Sequence, residues 1–343
     1  MIIIKSDLQN DFEDEYIENL IVPNSNNLVK TNPRDFLNLD KSIIEKFKII
    51  IIYSPSSKEI FNEINSLLNS ISYKYYLVHL SDENLEGPYD HYDKAEAVFR
   101  SYFNPKLNQK NCFTIPLGFQ NGFLSNNNKL NFDRKYIWSF CGQAYSTRKN
   151  MIENLESITP NYIHKINSFM SIDALSANEL SDIYSNSYFA PCPFGFISPD
   201  TFRIMETLES GCIPIVKKLY MIDYFKIIFG DHPFVVVNKW KNIGKVISDY
   251  QSNPEELHNE QKEVWEWYSK FKQSLSSDIE IIIKDKNSKL ESVQFNYQKQ
   301  KIYNFFRRFI FFYWFKLRRK SWFIKIQKFI YKSKNTIKKV TNN

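Results

Sequence analysis

No stretch of this chain approaches the roughly 18–20 consecutive apolar residues that a bilayer crossing needs. The longest candidate in the C-terminal region, residues 309–315, is seven residues long. The apolar start Met1-Ile2-Ile3-Ile4 is too short for a secretory leader, because Lys5 follows at once and acids soon after. Neither a membrane span nor a leader is expected. Cysteine is scarce: Cys112, Cys141, Cys192 and Cys212 form no C-x-x-C pair and have no His at metal-ligand spacing. A zinc site is therefore not expected. Three of the four sit in apolar, strand-like settings and read as reduced core thiols of a cytosolic protein. No internal repeat is evident. Acidic residues are missing altogether from residues 301–343.

That last absence organises the charge. The chain has 45 Lys and Arg against 38 Asp and Glu, a net +7. Thirteen of the cations lie in 301–343, so the first 300 residues carry a net −6. The body is mildly acidic and the excess positive charge sits in one tail. Within it Trp322, Phe323, Ile326, Phe329 and Ile330 share one face of a helix, with Lys325, Lys328 and Lys332 opposite. A basic amphipathic helix with Trp and Phe on its apolar side is suited to an anionic membrane surface. Trp322, Phe323, Lys325, Lys328 and Phe329 are its expected contacts. Two other readings fit the composition. One is nucleic-acid binding, with stacked bases and phosphate-bound Lys; the other is a helix packed on the body. The apolar face is segregated rather than alternating, which speaks against nucleic acid.

Hydrophobic residues make up 43% of 343, enough for two α/β domains with real cores. Strands are expected at 47–53, 75–80 and 112–115. Between the first two, Ile60, Phe61, Ile64, Leu67 and Leu68 have helical spacing. Residues 95–102 read as a further helix, Pro116-Leu117-Gly118 as a turn, and the Asn-rich 122–134 as a linker. Strand–helix pairs then begin at Tyr136, Tyr162, Tyr188, Ile213 and Phe234, and Pro254 opens a long helix to about Lys284. Such alternation implies a doubly wound parallel sheet in each domain. The expected division is 1–125, 126–285, and a linker and tail over 286–343.

Two segments carry chemistry. The first is Pro191-Cys192-Pro193-Phe194-Gly195-Phe196-Ile197-Ser198-Pro199-Asp200-Thr201-Phe202-Arg203-Ile204-Met205-Glu206, continuing to Gly211-Cys212-Ile213-Pro214-Ile215-Val216. It reads as a strand, a Gly-containing loop, a short helix, a glycine stop and another strand. Ser198 is placed to cap the helix and Pro199 to occupy its first turn, with Gly211 left-handed at its end. Arg203, Glu206 and Ser210 project from one side. A loop and helix N-terminus at the carboxyl end of a parallel strand is where α/β proteins bind phosphate. The second segment, 135–142, is a strand ending in Gly142, followed by a polar turn and Arg148 at a helix start. Arg suits a diphosphate because its planar fork bonds two oxygens at once and stays charged. Read alone, either Arg could be a solvated surface residue, and Arg203–Glu206 a surface ion pair.

Together these segments resemble the nucleotide-sugar half of GT-B glycosyltransferases, and in detail the exostosin-type family (GT47-type), including its ribitol xylosyltransferase branch. The likeness is strongest over 136–217. It implies an α/β, GT-B-like fold: two Rossmann-like domains facing a cleft, here with the basic tail appended. It also implies donor contacts at Gly142, Arg148, Pro193, Gly195, Thr201, Arg203 and Glu206, with the arginines on the diphosphate and Glu206 on the ribose. An acid at the end of a first-domain strand would deprotonate the acceptor. Asp82 and Glu83 hold that position, and either could instead cap the turn. The same branch shares this Ser-Asp-Glu pattern and a later Arg before an aromatic pair, here Arg100-Ser101-Tyr102-Phe103. His79 reads as packed, while Asp90, His91 and Asp93 follow close behind. No Asp-x-Asp follows a strand as in metal-dependent GT-A enzymes, and Glu13-Asp14-Glu15 looks like a solvated charge cluster. No metal or cofactor is expected.

The expected protein is a cytoplasmic glycosyltransferase, peripheral at the inner face of a membrane. It would be inverting and metal-independent, and move a sugar from a nucleotide-sugar to a polysaccharide or lipid-linked glycan. The alternatives are a non-catalytic glycan- or nucleotide-binding protein brought to membranes by the tail, or a nucleic-acid-binding protein.

Overall fold

The computed structural model describes residues 1–5, 12–22, 29–54, 58–85, 89–105, 107, 111–124, 130–145, 147–168, 171–284, 309–311 and 313–314. The chain divides into two compact units, Met1–Gln298 and Lys299–Asn343. In the second, residues 309–311 and 313–314 are helical. The expected membrane contacts Trp322, Phe323, Lys325, Lys328 and Phe329 lie outside the described residues. Among the described residues no helix is long and apolar enough to cross a membrane.

The first unit holds two parallel sheets. The first sheet contains β1 (Ile2–Lys5), β2 (Val29–Thr31), β3 (Ile49–Tyr53), β4 (Tyr75–His79), β5 (Ala97–Arg100) and β6 (Cys112–Thr114). Their order is β2-β1-β3-β4-β5-β6. The second contains β7 (Tyr136–Gln143), β8 (Asn161–Ile166), β9 (Ser187–Cys192), β10 (Ile213–Lys217) and β11 (Val235–Val237), in the order β11-β10-β9-β7-β8. β3 and β4 are buried at every position. Continuous apolar runs of this kind are what a sheet covered on both faces requires. In each sheet the winding reverses once, between β1 and β3 and between β7 and β9. Doubly wound sheets open a crevice at such a reversal, beyond the carboxyl ends of the two strands.

Several expected elements stand where their spacing put them. The helix Lys58–Ser70 buries Ile64, Leu67 and Leu68, and Thr147–Leu155 buries Met151, Ile152 and Leu155. Pro254–Lys284 is one long helix. Gly211 is left-handed at φ +64, and a Cβ there would lie 2.8 Å from Leu130 and 3.0 Å from Arg134. Cys141, Cys192 and Cys212 are buried free thiols and Cys112 is half-buried.

Two expectations are corrected, and one segment gains an element. Residues 95–102 are not a helix: β5 runs through them, buried at all four positions and paired with β4 and β6. A short apolar run has no readable period, and Val98 and Phe99 favour the strand once neighbours flank it on both sides. The apolar start, too short for a leader, supplies β1 (Ile2–Lys5), next to the reversal in the first sheet. The helix after β9 begins at Phe202 with Thr201 as its N-cap, so Ser198 and Pro199 belong to the preceding loop. There Ser198 Oγ accepts from the Asp200 N–H at 3.2 Å and meets the Tyr224 hydroxyl, which turns the loop instead of capping the helix.

Candidate active site

Both motifs sit at the reversal of the second sheet. β7 delivers Gly142 and, after a turn, Arg148; β9 delivers the loop 193–201 and the helix Phe202–Glu209. Arg203 is buried, and its Nη2 donates to the Cys141 carbonyl at 2.6 Å while the guanidinium lies 4.7 Å over the Phe140 ring. A Cβ on Gly142 would stand 2.6 Å from that same nitrogen, so the strand end must be glycine for the arginine to reach it. Arg203 Nε has no partner among the described residues. Arg148 is also buried, with Nε and Nη2 on the Phe194 carbonyl at 3.3 and 3.1 Å and Nη1 on Gln143 O at 3.4 Å. It lies 4.4 Å from the centre of the Tyr145 ring, which stacks on Phe196 at 4.7 Å with the planes 4° apart. Burial, and then the charge of Arg203, lower the Arg148 pKa to about 10. Neither guanidinium is in ion-pair contact with a carboxylate among the described residues; carbonyl oxygens and the faces of Tyr145 and Phe140 hold the two like charges in place.

The acids of this wall are equally enclosed. Glu206 lies one turn inside the helix, and burial raises it to about 7 against the pull of Arg203 and hydrogen bonds from Gln120. Asp200, in the loop, is 2% exposed and is raised to about 7 by burial. Its Oδ2 accepts no hydrogen bond among the described residues, and Thr201 Oγ1 is likewise unpartnered. Pro193 follows the last residue of β9, and Gly195 lies at the tightest point of the loop, where a Cβ would come 2.6 Å from Glu83 Oε1.

That last contact brings in the other wall. Glu83, beyond the carboxyl end of β4, accepts on Oε1 from the N–H groups of Ile197 at 2.8 Å and Ser198 at 3.2 Å. Its neighbour Asp82 faces inward: Oδ2 accepts from Arg100 at 3.1 Å and from the Tyr89 hydroxyl at 2.7 Å, both arginine and aspartate being buried. Arg100 also donates to Tyr102 O and Tyr92 OH, so this pair is the hub of a closed network. His79 is buried in β4 with Nδ1 on the Tyr92 hydroxyl, as its apolar setting implied. Asp90 and Asp93 are exposed, and His91 meets the core through its carbonyl, which accepts from Tyr75.

The expected solvated cluster at Glu13 is a further correction. Asp14 pairs with Lys5 at 2.6 Å, and Glu15 accepts from the Gly122 N–H at 2.9 Å. Glu13 is buried, its Oε1 has no partner among the described residues, and burial lifts it to about 8. Beside it Phe12 packs edge-on against Phe202, the first residue of the Arg203 helix, at 5.3 Å. The carboxyl ends of the two sheets therefore meet across one crevice, joined by Glu83 on the loop, Gln120 on Glu206 and Phe12 on Phe202. Gly142, Arg148, Gly195, Arg203, Glu206 and Glu83 converge there. Asp200, Gln120 and Glu13 were not anticipated. Asp200 had a signal, since it sits inside the quoted motif.

Residues 120–287 match the family model of the RXYLT1 C-terminal domain. That segment is similar to this family over just under half of the chain. The exostosin-type resemblance read from 136–217 thus holds, and two doubly wound sheets meeting at their reversals form a GT-B-like fold. Similar solved structures include the DNA modifying enzyme beta-glucosyltransferase, 12% identical over 76% of this chain and 87% of that one, with a TM-score of 0.47. An alpha1,3-fucosyltransferase is 12% identical over 83% and 92%, with a TM-score of 0.46. T4 phage BGT in complex with UDP and Mn2+ is 11% identical over 83% and 99%, with a TM-score of 0.47. Likeness at this level says nothing about the site. No curated protein matches the chain.

Proposed function

We propose that this protein is a glycosyltransferase that moves a sugar from a nucleotide-sugar to a polysaccharide or lipid-linked glycan, with inversion. The observation that carries the reading is the pair of buried guanidiniums, Arg148 and Arg203, flanking a glycine loop with no carboxylate in ion-pair contact among the described residues. Two enclosed cations fixed by carbonyls form a site for a dianion, and a departing nucleoside diphosphate is such a group. In this reading Arg203 and Arg148 take the diphosphate, while Gly142 and Gly195 let it approach the backbone. Pro193 and Thr201 shape the loop, and Glu206 exchanges its Gln120 contact for a ribose hydroxyl. The guanidiniums supply the charge that a metal supplies elsewhere, so turnover is expected to survive excess EDTA. The RXYLT1-type domain over 120–287 supports the reaction class. The separation of charge between an acidic body and the basic tail supports a cytoplasmic enzyme seated on an anionic inner leaflet.

Titration calorimetry with UDP, GDP and CMP tests this directly. One nucleotide should bind clearly, and Arg203→Ala or Glu206→Ala should weaken donor use by about 10- to 150-fold, the worth of one charge-assisted hydrogen bond of ~1.5–3 kcal/mol. Full turnover by both variants at limiting donor would remove the assignment. A chain that binds RNA and no nucleotide would remove the function.

A further inference from the structure

Glu13 lies eight residues beyond the end of β1, one of the two strands that border the reversal in the first sheet. Its position is fixed from both sides. Phe12 packs on Phe202 of the donor-side helix, and the Phe12 carbonyl accepts from the Asn121 N–H at 2.9 Å. Tyr16, one turn on, donates to the Pro116 carbonyl at 2.8 Å. The charged and titratable groups that act with Glu13 are Lys5 at the end of β1, Asp14 and Tyr16 on its own helical segment, and Tyr102 after β5; Asp200, on the second-sheet loop, acts on the same Tyr16 and Tyr102. Lys5 is already paired to Asp14. Of the three first-wall acids near the crevice, Asp82 has Oδ2 on Arg100 and Tyr89, and Glu83 has Oε1 on two backbone N–H groups. Glu13 Oε1 is buried and accepts from none of the described residues. An oxygen so placed is desolvated and unpaired, on the segment that packs against the donor-side helix through Phe12 and Phe202.

We propose that Glu13 is the general base of the transfer. The assignment rests on the glycosyltransferase reading above. The acceptor O–H bond breaks and its proton passes to the Glu13 carboxylate. The acceptor oxygen then forms a bond to the anomeric carbon as the bond from that carbon to the diphosphate oxygen breaks. The electron pair leaves with the nucleotide, whose charge Arg203 and Arg148 receive. Burial, which lifts the carboxyl to about 8 despite Lys5, gives it the affinity for a proton that an ordinary glutamate lacks near neutral pH. It also means that the acid must ionise before it can act.

The test compares Glu13→Gln, Glu13→Asp and Glu83→Gln in the full chain, with nucleotide release and nucleotide binding measured separately. Glu13→Gln should fold, bind nucleotide as the wild type does, and lose about 10²- to 10⁴-fold in kcat. The wild-type kcat should rise with pH towards a plateau above about 8; this limb should vanish in Glu13→Gln and persist, at reduced rate, in Glu13→Asp. Wild-type turnover in a folded Glu13→Gln overturns the assignment. So does a limb that is lost in Glu83→Gln and kept in Glu13→Gln. A wild-type chain that binds none of UDP, GDP and CMP overturns the transferase reading and this assignment with it. Nucleotide binding with unimpaired Glu13→Gln turnover overturns the assignment alone.

Discussion

Burial raises three carboxyls around the crevice: Glu13 to about 8, and Asp200 and Glu206 to about 7. Between its ordinary value and its raised one, each holds a proton in the folded chain that the unfolded chain has released. Their joint contribution to stability is therefore complete below about pH 4 and declines as pH rises to about 8, each by ~1.4 kcal/mol per unit across its own window. Glu13→Gln isolates one of the three. In thermal and denaturant melts its stability relative to the wild type should grow from pH 5 to pH 8. A difference independent of pH in that range would mean that Glu13 ionises as a solvated acid does. The residues also differ in how legible they were. Arg203 and Glu206 lie three apart on a helix with an apolar opposite side, a local relation that spacing displays. Glu13 sits among polar residues, and the segment that carries it is held by distant partners, Phe12 on Phe202 and the Phe12 carbonyl on the Asn121 N–H. Nothing near it in sequence announces those partners.

Elements show the same division between local and distant causes. Long amphipathic helices and the second-domain strands were legible because each contains its own period or its own apolar run. β9 and β10 are buried at nearly every position, and their partners only confirm what Tyr188 to Cys192 and Ile213 to Val216 already favour. β5 is the opposite case: four residues that fit either state until β4 and β6 supply hydrogen-bonding edges on both sides. β1 was hidden by its position, since an apolar tetrapeptide at a chain start suggests a leader as readily as a strand. The start of the Arg203 helix was misplaced for a different reason. Ser198 and Pro199 have capping chemistry, and here that chemistry turns a loop to present Gly195 and Asp200.

At the scale of the whole molecule the charge asymmetry becomes testable. Thirteen cations in 301–343 should carry the chain to anionic vesicles and leave neutral ones untouched at moderate salt. Replacing Trp322 and Phe323 by Ser keeps every charge and should still weaken sedimentation with vesicles, because aromatic insertion adds to the attraction. Equal binding by that variant would reduce the tail to a polybasic patch.

The bond from Glu83 to the loop also works as a clock. The amides of Ile197 and Ser198 belong to the second sheet's loop, yet the oxygen that shields them comes from the first sheet. Each hydrogen exchanges with solvent only when its bond to Glu83 breaks, so the deuterium uptake of this pair measures how often the contact between the two sheets at that point is released. Glu83→Ala should speed uptake at these two positions while leaving β9 and β10 protected. A bound nucleotide that holds the crevice shut should slow it. Uptake that stays fast in the wild type would mean that the sheets breathe apart freely in solution.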